Sequence, residues 1–155
     1  MLNDLLAYRE LIPHSLGWHE RICEGFLPAS VKALAKGLQV APDDICQLIG
    51  LPLSRLEHDS RKIRLSPEQS DYLYRIAVAF SNLYLALKSA DACCSWLRTA
   101  QPLLKDRIPV LLLATYQGAV YVFTAIERIP AVQAKVTPSE VEVAVPAETE
   151  EDLAV

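Results

Sequence analysis

The sequence predicts an all-α protein, with an N-terminal helix-turn-helix unit followed by a small helical domain. Three observations carry this prediction. Apolar residues fill 52% of the 155 positions and only five residues are glycine, a composition that favours packed helices. Apolar side chains recur at helical spacing, as in Val31, Leu34, Ala35 and Leu38, which fall at i, i+3, i+4 and i+7. Strong helix starts stand at Pro42-Asp43-Asp44 and Ser66-Pro67-Glu68-Gln69. The length suits one domain with a real core or two small units sharing an interface. The chain divides into a helical extension (1–24), a helix-turn-helix unit (25–65), a second helical unit (66–129) and an acidic tail (130–155).

At the start, Leu2, Leu5, Leu6, Arg9, Leu11 and Ile12 suggest a short amphipathic helix that Pro13 ends. His14 to His19 reads as a turn, with a helix from Trp18 to Cys23 and Trp18 as a packing anchor. His14 and His19 are five residues apart, which is not a helical ligand spacing, so no metal role is expected. Gly25-Phe26-Leu27-Pro28 opens a clearer unit whose helix runs from Ala29 or Ser30 to Leu38. In the next helix Pro42 fits the first position, and Asp43 and Asp44 complement the positive helix end. Ile45, Leu48 and Ile49 form its apolar face. Gly50 is a turn, and Leu51 to His58 reads as a third short helix with Leu53 and Leu56 inward.

A helix, a glycine-containing turn and a second helix over this length form a helix-turn-helix pattern. Arg55, His58, Arg61, Lys62 and Arg64 cluster within ten residues, against Glu57 and Asp59. These basic side chains are candidates for phosphate contact, with Ser54 and Arg55 near the start of the third helix placed to reach base edges. The plainer reading is a solvated face followed by a basic linker.

Ser66 as N-cap, Pro67 at N1 and Gln69 at N3 make a capping box. The helix should reach about Lys88, with Leu73, Ile76, Ala77, Phe80, Leu83, Tyr84 and Leu87 as a continuous apolar stripe that predicts a dimer or larger assembly. Tyr72, Tyr74 and Tyr84 are expected in packing and interface. Ser89-Ala90-Asp91 breaks and restarts the helix, which ends at Trp96 to Arg98. Pro102 cannot continue it. Pro109 starts a short apolar helix, Val110 to Tyr116 is apolar enough to be buried, and Gly118 is expected to end it with φ > 0. A last helix, Ala119 to Ile129, carries Val122, Phe123 and Ile126 on one face until Pro130. Beyond it, Pro130, Pro138, Pro146 and the run Glu148-Thr149-Glu150-Glu151-Asp152 predict a flexible acidic tail. Val141 to Val145 is a candidate strand for pairing with a partner's sheet edge.

The net charge is −4, with eight basic and eight acidic residues in 1–65, six and five in 66–129, and one and six in 130–155. Global basicity therefore gives no support for nucleic-acid binding, and any such case rests on the local patch. Met1-Leu2-Asn3-Asp4-Leu5 does not read as a signal peptide, and no apolar run is long enough to span a membrane. Cys23, Cys46, Cys93 and Cys94 then read as reduced thiols of a cytoplasmic protein, with spacing that fits no zinc site. There is no glycine-rich phosphate loop, no helical histidine pair and no cysteine with a histidine and acid around it, so an enzyme is not expected.

Trp96-Leu97, Pro102 to Leu104, Arg107, Pro109, Leu112-Leu113, Thr115 and Gly118 together resemble the C-terminal toxin-binding domain of Xre/MbcA/ParS-type antitoxins. The resemblance extends from about Glu24 to Ile129, and Leu27-Pro28-Ala29-Ser30 is similar to the opening of the family's helix-turn-helix domain. The chain departs from the family at Lys105-Asp106, where glycine is usual, and at Leu111 and Ala114, where acids are usual. The resemblance implies an antitoxin of a type II toxin–antitoxin system. It would bind and occlude a RES-type toxin that degrades NAD, and would bind operator DNA to repress its own operon. In the family the end of the toxin-binding domain reaches into the toxin, and the matching positions are Ile126, Glu127, Arg128 and Ile129. After Ile129 the match stops: the family finishes with glycine and an aromatic residue, whereas here Pro130 opens the acidic tail. No cofactor, metal, membrane or small-molecule substrate is implied, and a homodimer is expected. The alternatives are a stand-alone dimeric helix-turn-helix regulator without a toxin partner, or a scaffold that uses the same helices to bind another protein.

Overall fold

A long helix, α6 (Pro67–Leu87), occupies the centre of the molecule in the computed structural model, which describes residues 1–8, 15–57 and 63–130. Among the described residues eight further helices surround or flank it, the first seven being α1 (Leu2–Leu5), α2 (Ser15–Glu24), α3 (Pro28–Leu38), α4 (Pro42–Ile49), α5 (Leu53–Glu57), α7 (Ala90–Arg98) and α8 (Pro109–Leu112). The last is α9 (Tyr116–Glu127), and a 3-10 turn covers Pro102–Leu104. No strand occurs among the described residues, so the fold is all-α. Arg9, Pro13, His14, the segment 58–62 and the tail 131–155, with its candidate strand Val141 to Val145, lie outside the described residues.

The capping box forms as its residue types require. The Gln69 amide donates to Ser66 Oγ at 3.1 Å and the Ser66 amide donates to Gln69 Oε1 at 3.0 Å. From there α6 packs against α1, α2, α3, α4, α7 and α9. Leu73, Ile76, Ala77, Phe80 and Leu83 are all buried within one chain. That part of the stripe is covered by the protein's own helices and so does not itself call for a dimer, while Tyr84 and Leu87 are half-buried.

In the N-terminal half, α3 ends in a Schellman motif. Gln39 is left-handed, its amide donates to Lys36 O, and the Val40 amide donates to Ala35 O at 3.0 Å. Gly50 ends α4 the same way, with the Leu51 amide on Cys46 O at 2.9 Å. That bond turns Leu51 into the core. Leu51 and Leu56 are buried, while Leu53 is 40% exposed rather than inward. The segment before α6 returns to α3's start: the Leu65 amide donates to Phe26 O at 2.8 Å, and the Phe26 amide donates to Ser70 Oγ at 2.8 Å. Gly25 must be glycine there, since φ is +87° and a Cβ would lie 2.2 Å from Leu65 O. Trp18, Phe26, Tyr8 and Tyr74 form an aromatic cluster beside this seam.

In the C-terminal half, Lys105 and Asp106 both adopt positive φ, and the loop closes with the Gln101 amide on Arg107 O at 3.1 Å. Thr115 caps α9 by accepting from the Gly118 amide at 3.0 Å. Gly118 therefore lies in the first turn of α9 and does not end a helix. Its φ is not positive. It is needed because α8 packs so closely that a Cβ would sit 1.9 Å from Leu112 O. The stretch Val110 to Tyr116 is also less buried than its composition suggests: Leu111 is 53% and Tyr116 74% exposed.

Candidate functional site

Two surfaces carry the candidate residues. The first is built on α3, α4 and α5. Helices α3 and α4 pack on each other and are joined by three residues, Gln39 to Ala41, the arrangement of a helix-turn-helix. The sequence pattern had placed this turn at Gly50. Because α5 has only five residues, the pair with a full packed face is α3–α4. Ser54 and Arg55 are exposed on α5. His58, Arg61 and Lys62 lie outside the described residues. Arg64 is exposed, yet its Nη1 donates to Gly25 O at 2.9 Å, which ties it to the seam before α3. Lys32 and Lys36 are exposed on α3, and Asp43 and Asp44 are exposed at the start of α4.

The second surface is built on the 3-10 turn, α8 and α9. Ile126 is buried, Ile129 is half-buried, and Glu127 and Arg128 are exposed at the end of α9. Ile126 packs into the core, while Glu127 and Arg128 face outward. Leu103, Leu111, Tyr116, Val120 and Tyr121 are all exposed, Tyr121 by 64%. A cleft of about 390 Å³ lies at Leu103 and Tyr121, lined also by Leu104, Lys105, Arg107 and Leu112. Periodicity alone did not single out these residues. The available signal was that α9 is apolar around most of its circumference, more than one packed face can cover.

Helix α6 fixes this second surface. The Arg75 guanidinium donates from Nε to Leu113 O at 2.8 Å and from Nη2 to Ala114 O at 3.1 Å, while Nη1 pairs with Asp71. Tyr72 Oη donates to Val110 O at 2.7 Å. These bonds satisfy carbonyls that α8 leaves open at its end. Burial pushes the Tyr72 hydroxyl above its ordinary pKa, with Arg75 opposing, so it remains a donor.

The thiols offer no reactive centre in the core. Burial, with Cys94 alongside, pushes Cys93 up to about 11, and burial also raises Cys46 and Cys94. Such thiols stay protonated and poorly nucleophilic. Cys23 is exposed, with its Sγ 3.5 Å from His19 Nε2. No group of three metal-ligating side chains occurs among the described residues. No helix among them is long and apolar enough to cross a membrane.

The packed α3–turn–α4 pair is a helix-turn-helix set beside a second helical surface. Residues 17–78 match the family model of the antitoxin Xre-like helix-turn-helix domain. The match runs from α2 to the first half of α6. Over that stretch the chain is similar to an antitoxin-type helix-turn-helix domain. No curated protein matches the chain.

Proposed function

We propose that this chain is the antitoxin of a type II toxin–antitoxin pair. The helical unit 66–129 binds a cognate RES-type toxin and occludes its NAD-degrading site. The unit 25–65 binds operator DNA and represses the operon. The protein acts in the cytoplasm as a homodimer, which matches the paired half-sites that helix-turn-helix proteins engage. The antitoxin-type helix-turn-helix match over residues 17–78 carries this reading. The exposed apolar cleft around Leu103 and Tyr121 supports the partner-binding part, because exposed apolar patches of this kind mark protein interfaces.

Within this reading Glu127, Arg128 and Ile129 form the occluding end, with Ile126 as its internal anchor. Ser54 and Arg55 face the DNA, joined by His58, Arg61 and Lys62 from the adjoining segment. Arg64 completes this basic set, with its Nη1 also donating to Gly25 O. Co-expression of the tagged chain with the protein encoded beside it, followed by light scattering, tests the pairing. A stable complex of defined mass is expected. A lone homodimer that binds only DNA would refute the toxin partner and leave a stand-alone regulator.

A further inference from the structure

The helix in the reading position of this domain carries no cation. In a helix-turn-helix the second helix of the packed pair enters the major groove and presents its N-terminal residues to base edges. Here that helix is α4, joined to α3 by Gln39 to Ala41. Its sequence is Pro-Asp-Asp-Ile-Cys-Gln-Leu-Ile. Ile45, Cys46 and Ile49 face the core, and Asp43, Asp44 and Gln47 are exposed. Phosphate neutralisation dominates DNA affinity, so cations flanking α4 must supply it.

One such cation comes from the other half of the chain. A cleft of about 340 Å³ runs alongside α4, with Asp44, Gln47 and Leu48 on one wall and Leu97, Arg98 and Val110 on the other. Arg98 is the last residue of α7 and is exposed on the lip. Its position is fixed relative to the helix-turn-helix. Leu97 beside it is fully buried, and Cys94 Sγ lies 3.8 Å from Gly37 O on α3. Arg55 is exposed on α5, the short helix that follows α4.

We propose that α4 is the base-reading helix, with Gln47 as its adenine-reading residue, and that Arg98 supplies a backbone phosphate contact beside it. This rests on the DNA binding proposed above and shifts base reading from Ser54 and Arg55 to Gln47. A glutamine amide pairs with adenine N6 and N7 in the major groove, which neither aspartate can do. Arg98 also offsets the charge of Asp44 as the duplex approaches. The DNA surface then crosses from the matched domain into α7.

The test uses the full chain and a duplex of the operon's own upstream region, with binding followed by fluorescence anisotropy across a salt series. Gln47→Ala should weaken that duplex about 10-fold or more and lose its preference at one A·T pair, leaving the salt slope unchanged. Arg98→Ala should weaken all duplexes alike and lower the salt slope by about one unit, with Arg98→Lys restoring it. A Gln47→Ala variant with its base preference intact, or an unchanged slope in Arg98→Ala, would overturn the proposal. Ser54→Ala losing the base preference would overturn it in favour of α5. Failure of the wild-type chain to bind any duplex would sink the DNA-binding reading itself, and this proposal with it.

Discussion

Gly118→Ala separates close packing from helix propensity, because the two predict opposite signs. In an open helix position, alanine stabilises relative to glycine by about 1 kcal/mol. At position 118 the added Cβ would lie 1.9 Å from Leu112 O, 2.8 Å from Leu112 C and 3.0 Å from Thr115 Oγ1. The nearest atoms are backbone, so no side-chain rotation relieves the overlap, and α8 must move away from α9. Overpacking of this kind costs about 1–3 kcal/mol. Moving α8 also stretches the Arg75 bonds to Leu113 O and Ala114 O, and hydrogen bonds to a charged donor contribute about 1.5–3 kcal/mol each. A net loss of about 3–4 kcal/mol is expected, or a fall in Tm of roughly 10 °C for a chain of this size. Thermal unfolding of the full chain by circular dichroism reads it out. Gly50→Ala serves as a control, since nothing lies within 4 Å of a Cβ there and only the left-handed φ of 69° is strained. That control should lose about 1–2 kcal/mol. A neutral or stabilised Gly118→Ala protein would refute the packing argument.

Arg75→Ala should destabilise the chain by about 2–3 kcal/mol and accelerate amide exchange around residues 113–116; unchanged exchange there would show that the guanidinium does not hold the elbow. Cys93 gives a pH signature: its folded pKa of about 11 stands above the ordinary 9.0, so its contribution is complete below pH 9 and is lost as pH rises through 11. Denaturant unfolding at pH 8 and pH 11 should show a drop that Cys93→Ala reduces. A thiol reagent should label Cys23 in the native protein and reach Cys46, Cys93 and Cys94 only after unfolding, and native labelling of Cys93 would contradict its burial. Tyr116→Ser with Tyr121→Ser should leave Tm within about 2 °C, since both rings are exposed, yet weaken capture of the co-expressed neighbour by at least about 10-fold.

What the sequence made legible was local chemistry. Pro42, two aspartates and Gly50 set both ends of α4, and the Ser66 capping box set the start of α6. These signals act within a few residues and do not depend on the rest of the chain. What it did not reveal depended on distant partners. The α6 stripe was legible as apolar, but only tertiary packing shows that it faces six other helices of the same chain. Gly118 was legible as a special glycine, but left-handed backbone and close approach leave the same mark in sequence. Leu53 and Leu56 share a helical spacing, and the Schellman bond from Leu51 decides that Leu53 points outward. At the candidate sites, the run from Arg55 to Arg64 looked uniform, while the structure adds a bond from Arg64 Nη1 to Gly25 O that no local pattern shows. No local pattern could bring Arg98 and Gln47 to the same cleft, because they lie far apart in the chain.

The most direct test of the antitoxin reading is NAD consumption by the protein encoded beside this chain, measured alone, with the wild-type chain and with Arg128→Glu. The account predicts that the neighbour consumes NAD alone, that an equimolar amount of the chain silences it, and that Arg128→Glu restores at least part of the activity. A neighbour whose NAD consumption is untouched by the wild-type chain would contradict the account.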